Sequence, residues 1–340
     1  MIAILGDTHF GVRSDSKEFN AFYKKFYSNI FFPYLKENNI KTVYQLGDLF
    51  DRRKYVNFFT LAECREYFFD VLQDNGIDFH VLLGNHDIFW KESLEVNSPE
   101  LLLKDYKNIT VYNSPTTVGQ IDFIPWICEE NEKDILNFIK KSNSKYCMGH
   151  YEIQGFEMSK GVEGTQGVAP SLFRNYTQVF SGHYHTRSSK GNIMYVGTPM
   201  EHTWADCDDP RGFHVWNPEN NDIKFIENPY TIHCKHFYDE SKKVTDYSIF
   251  TEKYVKVIIE NKKDFAKFDK FIEEVYNYNP LEVKVMEDMI EFNNRNDNLT
   301  NVEDVFTLLT KYVDGLDTDA DKDRIKLVMK DLYEKAQEVE

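Results

Sequence analysis

The chain is short of positive charge. Of its 340 residues 40 are Lys or Arg and 56 are Asp or Glu, a formal net charge of −16. That excludes a protein that grips nucleic acid through a broad basic surface. It does not exclude an enzyme acting on nucleic acid, because bound metal ions supply positive charge at a phosphate and a partner protein supplies it elsewhere. Long hydrophobic runs are missing too. No apolar stretch of the chain reaches the roughly 18–20 residues that span a bilayer, so no membrane association is expected. The first residues open directly into a strand with no basic n-region, and no signal peptide is expected. Cysteine is scarce and unpatterned: Cys64, Cys128, Cys147, Cys207 and Cys234 are odd in number and form no Cys-x-x-Cys. Reduced thiols in a cytoplasmic compartment fit this better than a disulfide framework or a zinc knuckle.

What is present is a pattern. Five times a short apolar run ends in glycine and is followed by metal-binding types of residue. Ile2 to Leu5 leads to Gly6-Asp7-Thr8-His9, and Val43 to Leu46 leads to Gly47-Asp48-Leu49-Phe50-Asp51. Phe79 to Leu83 leads to Gly84-Asn85-His86-Asp87, Tyr146 to Met148 to Gly149-His150, and Val179-Phe180, through Ser181, to Gly182-His183-Tyr184-His185. Each run suits a buried strand, and each glycine permits a sharp turn where the strand ends. The side chains would collect at the carboxyl ends of the strands, where ligands of open α/β sheets sit. Singly, each motif has a bland reading: Asp-x-His as a turn, Gly-Asp-x-x-Asp as a turn and helix N-cap. Jointly, in this order, they do not.

Two carboxylates, one amide and four imidazoles make a site for two divalent ions. Such a pair clamps the attacking and leaving oxygens of an in-line phosphoryl displacement, and one ligand must reach both ions. Asp48 suits the bridge, because a carboxylate has two oxygens. Asp7 and His9 share one turn and would hold the first ion with His185; Asn85, His150 and His183 would hold the second. Mixed oxygen and nitrogen ligation suits manganese, iron or zinc better than magnesium alone.

Between the strands lie segments of helical periodicity: Phe19, Phe22, Tyr23, Phe26 and Ile30; Leu61, Cys64, Tyr67, Phe68, Val71 and Leu72; Ile135, Phe138 and Ile139. Further strands are expected at Ile193 to Val196, Phe213 to Trp216 and Ile223 to Ile226. This alternation predicts an α/β layered domain over 1–235. A small β-α-β unit follows over 245–290, from a strand at Tyr254 to Ile259, a helix through Phe265, Phe268, Phe271, Ile272 and Val275, and a strand at Val283 to Met286. The Asn-rich stretch in 291–300 reads as a linker. Two amphipathic helices fill 301–340, one lined by Val302, Val305, Phe306, Leu309 and Val313, the other by Ile325, Val328, Met329, Leu332 and Ala336.

The five motifs, spanning residues 6 to 185, resemble those of the calcineurin-like metallophosphoesterases. The resemblance implies a four-layer β-sandwich flanked by helices, in place of a simple doubly wound sheet. It implies the ligand set above, with His86 a non-ligand that stabilises or protonates the phosphoryl transition state and Asp87 orienting it. Purple acid phosphatases carry a tyrosine ligand where this chain has Asp51, so a ferric-tyrosinate site is not expected. The Asp-Thr-His-Phe-Gly opening, the Gly-Asp-Leu-Phe-Asp motif, the β-α-β unit and the final helical pair resemble the SbcD-type DNA double-strand-break-repair nuclease subunits. The compact length and acidic balance resemble the branch of T-even bacteriophages, the recombination endonuclease subunits. That family implies two divalent ions, manganese foremost, with 3′–5′ exonuclease activity on duplex DNA and endonuclease activity on single strands. It implies a capping domain that contacts DNA and a C-terminal helix-loop-helix that docks on the coiled-coil base of an SMC-like ABC ATPase of the SbcC type, through Val305, Phe306, Leu309, Val328 and Leu332. It also implies a homodimer within a heterotetramer, in the host cell cytoplasm if phage-encoded. Many members carry His where Asp51 stands.

Two other readings stay open: a stand-alone phosphodiesterase or phosphomonoesterase, and a non-catalytic scaffold that pins the ATPase at a DNA end. The complete ligand set speaks against the second. Arg52-Arg53-Lys54 reads either as a DNA-backbone contact or as a solvated turn. Trp126 and Trp204 read as core. Asp317, Asp319, Asp321 and Asp323 mimic the start of a calcium loop, but Lys322 stands where glycine is needed and Val328 where glutamate is, so a polar turn with a helix N-cap is expected.

Overall fold

The apolar runs fold as strands in the computed structural model, which describes residues 1–159, 162–286, 310, 312–313 and 321–337. The chain divides into two units, Met1–Tyr230 and Thr231–Glu340. In chain order the strands of the first are β1 (Ile2–Leu5), β2 (Thr42–Gln45), β3 (Asp78–Leu82), β4 (Ile109–Tyr112), β5 (Thr116–Val118), β6 (Ile121–Ile124), β7 (Tyr146–His150), a hairpin of β8 (Glu157–Ser159) and β9 (Val162–Glu163), β10 (Gln178–Gly182), β11 (Ser188–Lys190), β12 (Ile193–Tyr195), β13 (Gly212–Asn217) and β14 (Asp222–Glu227). They form two six-stranded sheets, β14-β13-β1-β2-β3-β4 and β11-β12-β10-β7-β6-β5. In the first, β1 to β4 are parallel; in the second, β6, β7, β10 and β12 are.

Alternation along the strands sorts the layers. Ile4, Tyr44, Leu46 and Leu82 of the first sheet meet Phe123, Tyr146, Met148 and Phe180 of the second in one core, closed by Trp216. Behind the second sheet Cys147, Val179, Ile193 and Tyr195 pack on Ile135 and Ile139 of the helix Glu132–Lys141. Behind the first sheet the filling is aromatic. Phe68 lies 4.6 Å from Tyr27, 5.3 Å from Phe10 and 5.4 Å from Phe79, ring centre to ring centre. Burying one such ring contributes roughly 1.5–3 kcal/mol. Helix, sheet, sheet, helix is the four-layer arrangement the motifs implied.

The two long helices behind the first sheet each pass through a π-helical turn, Tyr27–Phe31 and Arg65–Phe69. The wider turn narrows the angle between successive side chains, which lets Tyr67, Phe68 and Phe69 all be buried. The simple helical spacing of the sequence does not show this.

In the second unit β15 (His233–Asp239), β16 (Tyr254–Asn261) and β17 (Glu282–Met286) form a parallel sheet in that order. The helix Phe265–Asn277, capped by the Asp264 side chain, packs Phe268, Phe271 and Val275 on Val255, Val257 and Ile259. The sequence reading contains no strand at 233–239; His233, Lys235, His236 and Asp239 break the apolar pattern that would have marked it. A helix spans Lys322–Gln337, and Asp321 Oδ1 accepts from the Asp323 and Arg324 N–H groups at its start, the N-cap expected there. The expected linker, Val302, Val305, Phe306, Leu309, Asp317, Asp319 and the Leu332 and Ala336 side chains lie outside the described residues. Among the described residues no helix is long and apolar enough to cross a membrane.

Candidate metal centre

Parallel strands bring their carboxyl ends to one edge. From the first sheet β1 delivers Asp7 and His9, β2 delivers Asp48 and β3 delivers Asn85; from the second, β7 delivers His150 and β10 delivers His183 and His185. All seven side chains expected to hold metal meet here. His150 Nε2 is 3.4 Å from Asp48 Oδ2 and 3.1 Å from Asn85 Oδ1, and His183 Nδ1 is 3.1 Å from the same amide oxygen. His9 Nε2 is 3.7 Å from Asp48 Oδ2, and His185 Nε2 is 3.7 Å from Asp7 Oδ2. Asp48 thus faces His9 on one side and His150 on the other, the place a bridging carboxylate must occupy.

The turns are stitched to one another. The buried Gln45 amide donates to Gly47 O at 2.6 Å and Gly6 O at 3.3 Å, and its oxygen accepts from Gly47 N at 3.1 Å. Asp87 accepts from Leu49 N and Phe50 N through Oδ1 and from Gly84 N through Oδ2. Asp7 accepts from His183 N at 3.0 Å, tying the first motif to the last. Gly47 has φ +96°, and a Cβ there would strike the His150 ring; a Cβ on Gly84 would strike the Asp48 carboxylate. Neither position tolerates a side chain.

The donor set fits divalent ions. His150 Nδ1 donates to Leu46 O at 2.7 Å, which fixes the tautomer and leaves Nε2 to bind metal. Asp7, Asp48 and His9 offer donor atoms within 4.8 Å of one another, as do Asp48, His150 and His183. His9 Nε2 is buried without a hydrogen bond. Burial pushes the Asp7 pKa up, and the neighbouring Asp48 charge adds to this, although His150 opposes it. Burial likewise opposes charge on His9 and His150, yet the carboxylates around them outweigh it: Asp51 and Asp48 for His9, Asp48 and Asp7 for His150. Both imidazoles are held at about 9. Two buried carboxylates among imidazoles that keep protons for want of another cation are what metal ions would relieve.

His86 projects into the same space, with its ring centre 4.9 Å from that of His9. Its N–H donates to Asp48 Oδ1 at 2.8 Å, and its Nδ1 donates to the Asp51 carbonyl at 2.6 Å. That bond orients the ring; Asp87 instead holds backbone N–H groups, so it acts on His86 only through the shape of the loop. Arg52 stacks on Tyr55 and lies 3.7 Å from Asp15, Arg53 donates to Ile88 O at 3.4 Å, and Lys54 is exposed. Trp126 packs on the cluster of Leu83, Ile88, Leu94 and Cys128, but its ring also lies 5.1 Å from His183 and 5.8 Å from His150. Trp204 is half-buried in a short 3-10 turn. Sequence reasoning missed His202, which lies beside His9 and His185. Its neighbours Met200, Glu201 and Thr203 form none of the strand-Gly-ligand units, and only its residue type was a signal.

Residues 1–187 match the family model described as calcineurin-like phosphoesterase. The chain is similar to a protein named exonuclease subunit 1 from Enterobacteria phage T4, 36% identical over 329 residues that cover 95% of each protein. A solved structure, GAP50, the anchor in the inner membrane complex of Plasmodium, overlays with a TM-score of 0.42 and 16% identity, over 84% of this chain and 97% of that one. An overlay that loose carries no functional weight.

Proposed function

Because this chain belongs to the calcineurin-like phosphoesterase family, we propose that it is the nuclease subunit of a DNA recombination and repair complex that works with an SMC-like ABC ATPase of the SbcC type. The observation that carries the reading is the meeting of two carboxylates, an amide and four imidazoles at one sheet edge, in a chain whose relative along nearly its whole length is named an exonuclease subunit. The proposed substrate is a DNA phosphodiester, cut 3′–5′ from duplex ends and internally in single strands. The proposed ions are manganese.

Held by Asp7, His9 and His185 and by Asn85, His150 and His183, with Asp48 between, two such ions would supply Lewis acidity for in-line attack of water on the phosphodiester. The chain's own residues do the rest. Asp48 holds the two positions together. Leu46 O and the Asp51 carbonyl fix the tautomers of His150 and His86. His86, whose Nδ1–H is held by the Asp51 carbonyl, carries an Nε2 proton for the departing 3′ oxygen as the imidazolium and is left as the neutral Nδ1–H tautomer once that proton is transferred. His185 keeps about a third of its side chain open to solvent (32%), which supports entry of the substrate from that side.

The tail supports a partner. Leu327 and Val328 on the helix Lys322–Gln337 are more than half exposed. A charge at Phe306 or Leu332 is proposed to break ATPase binding, and a homodimer joined to two ATPase subunits in the host cell cytoplasm is the proposed assembly. The β15-β16-β17 unit is the proposed DNA-contacting cap, and Lys54 the most accessible of the basic triplet for the DNA backbone.

The test is cleavage of linear duplex DNA by the purified chain with its native partner. Manganese should restore, and a chelator abolish, activity, with metal content followed by elemental analysis. Equal activity after complete metal removal overturns the two-metal reading. Rapid turnover of small phosphoesters with DNA left intact overturns the nuclease reading. A chain ending after residue 290 should keep turnover of a small phosphodiester and lose the ATPase.

A further inference from the structure

His202 is 1% exposed, and neither of its ring nitrogens has a hydrogen-bond partner. Its ring centre lies 5.2 Å from that of His9 and 5.3 Å from that of His185, edge-on to both. One nitrogen from each of the three rings falls within 4.8 Å of the other two. Zn–N bonds of about 2.0–2.1 Å put two nitrogens on one ion at most about 4.2 Å apart. The three nitrogens therefore already converge on one point, and a shared ion would draw them closer together.

The backbone around His202 is clamped so that the ring is aimed. Its N–H donates to Asp206 Oδ2 at 2.7 Å, and its carbonyl accepts from Arg13 Nε at 3.0 Å. Arg13 lies in a turn in which Arg13, Ser14 and Asp15 all have left-handed φ, +55°, +57° and +61°. Asp206 is in turn paired with the buried Arg211 at 3.0 Å, and Arg211 also donates to the His185 carbonyl and to Thr198 Oγ1. One guanidinium thus anchors the segments that carry both His185 and His202. Such bracing around an imidazole with no protein partner is hard to explain as packing alone, because a buried polar group left unpaired is destabilising.

We propose that His202 is a third imidazole ligand of the first metal position, alongside His9 and His185. The inference rests on the two-metal reading above. It makes the two positions unequal. The first offers three imidazoles with Asp7 and Asp48; the second offers two, with Asp48 and Asn85. Imidazole-rich sites favour zinc and iron(II) over manganese. The first position is therefore the tighter one, with a preference for zinc or iron(II), and the second is the more exchangeable and the one at which the proposed manganese binds.

The test uses the full chain, stripped by chelator and titrated with Zn2+ against a chromophoric chelator, then with Co2+ for its visible spectrum. The wild type should show two unequal steps. His202→Ala should weaken the tighter step by about tenfold or more, leave the weaker step in place, and alter the Co2+ band at the first equivalent. Two unchanged steps make His202 a core residue and overturn the proposal. Binding of no metal by the wild type overturns the two-metal reading itself. His202→Gln serves if the alanine variant does not fold. The wild type also decides directly: three hyperfine-shifted imidazole N–H signals with one equivalent of Co2+ support the assignment, and two overturn it.

Discussion

Asp48 sits at φ +54°, between His9 at +44° and His183 at +87° among the left-handed residues of the site. Such backbone at a non-glycine residue costs about 1–3 kcal/mol, and here the stitched turns hold it. Its carboxylate has a distinct task for each oxygen: Oδ1 accepts from His86 N, while Oδ2 faces His150 and His9. Asp48→Asn keeps the shape and removes the shared charge. Metal content should fall from two ions per chain toward none, read by elemental analysis after desalting. His86→Ala should do the opposite. It leaves both donor sets intact, so the ions stay, while turnover falls by about 10²–10⁴-fold, the usual contribution of a general acid. Loss of metal with His86→Ala, but not with Asn85→Ala, would exchange the two roles.

Among the elements, the segment after β12 is centred on the Arg211 guanidinium, which pairs with Asp206 at 3.0 Å and with Asp209 at 2.8 Å. Arg211 is 4% exposed on its side chain and Asp206 is 6%. Asp206 is ionised because Arg211 and the His202 and Thr203 N–H groups outweigh its burial. Arg211→Met would leave that carboxylate buried without its partner, which costs about 3–5 kcal/mol. Chemical denaturation of the metal-free protein should show this loss, and metal affinity at the His185 position should fall with it. An unchanged midpoint would mean that Asp209 and solvent suffice. The spacing of five residues between Asp206 and Arg211 gives no hint of this pairing, because both lie in a loop without periodicity.

For the whole molecule the pH dependence follows from His9 and His150, whose pKa values stand at about 9 in the metal-free fold against the ordinary 6.5. A folded-state pKa above the unfolded one means that the fold holds the proton more tightly. The stability gained is complete below pH 6.5 and is lost as the pH rises through 9. The melting temperature of the metal-free protein should therefore fall between pH 6.5 and 9. Divalent ions replace those protons, so the rise in melting temperature on adding metal should widen over the same interval. Binding at pH 7 should release about two protons, measured by calorimetry in buffers of different ionisation enthalpy. Release near zero would mean that both imidazoles are neutral before metal arrives.

The sequence by itself determined the five motif-bearing strands, their glycine ends and the seven side chains that gather where those strands end, because apolar runs and abrupt glycine junctions are local features that survive without neighbours. It also determined the layered α/β class and the β-α-β unit, for the same reason. Only the tertiary structure decided which group orients which. Gln45 reads as one more residue of an apolar run, yet it ties two motif turns together; Asp51 holds His86 through a carbonyl, which no side-chain pattern encodes; β15 forms because β16 offers it an edge, despite its polar residues. His202 is the sharpest case. A histidine in a loop carries no pattern of its own, and it joins His9 and His185 only when β1, β10 and the segment after β12 converge in space.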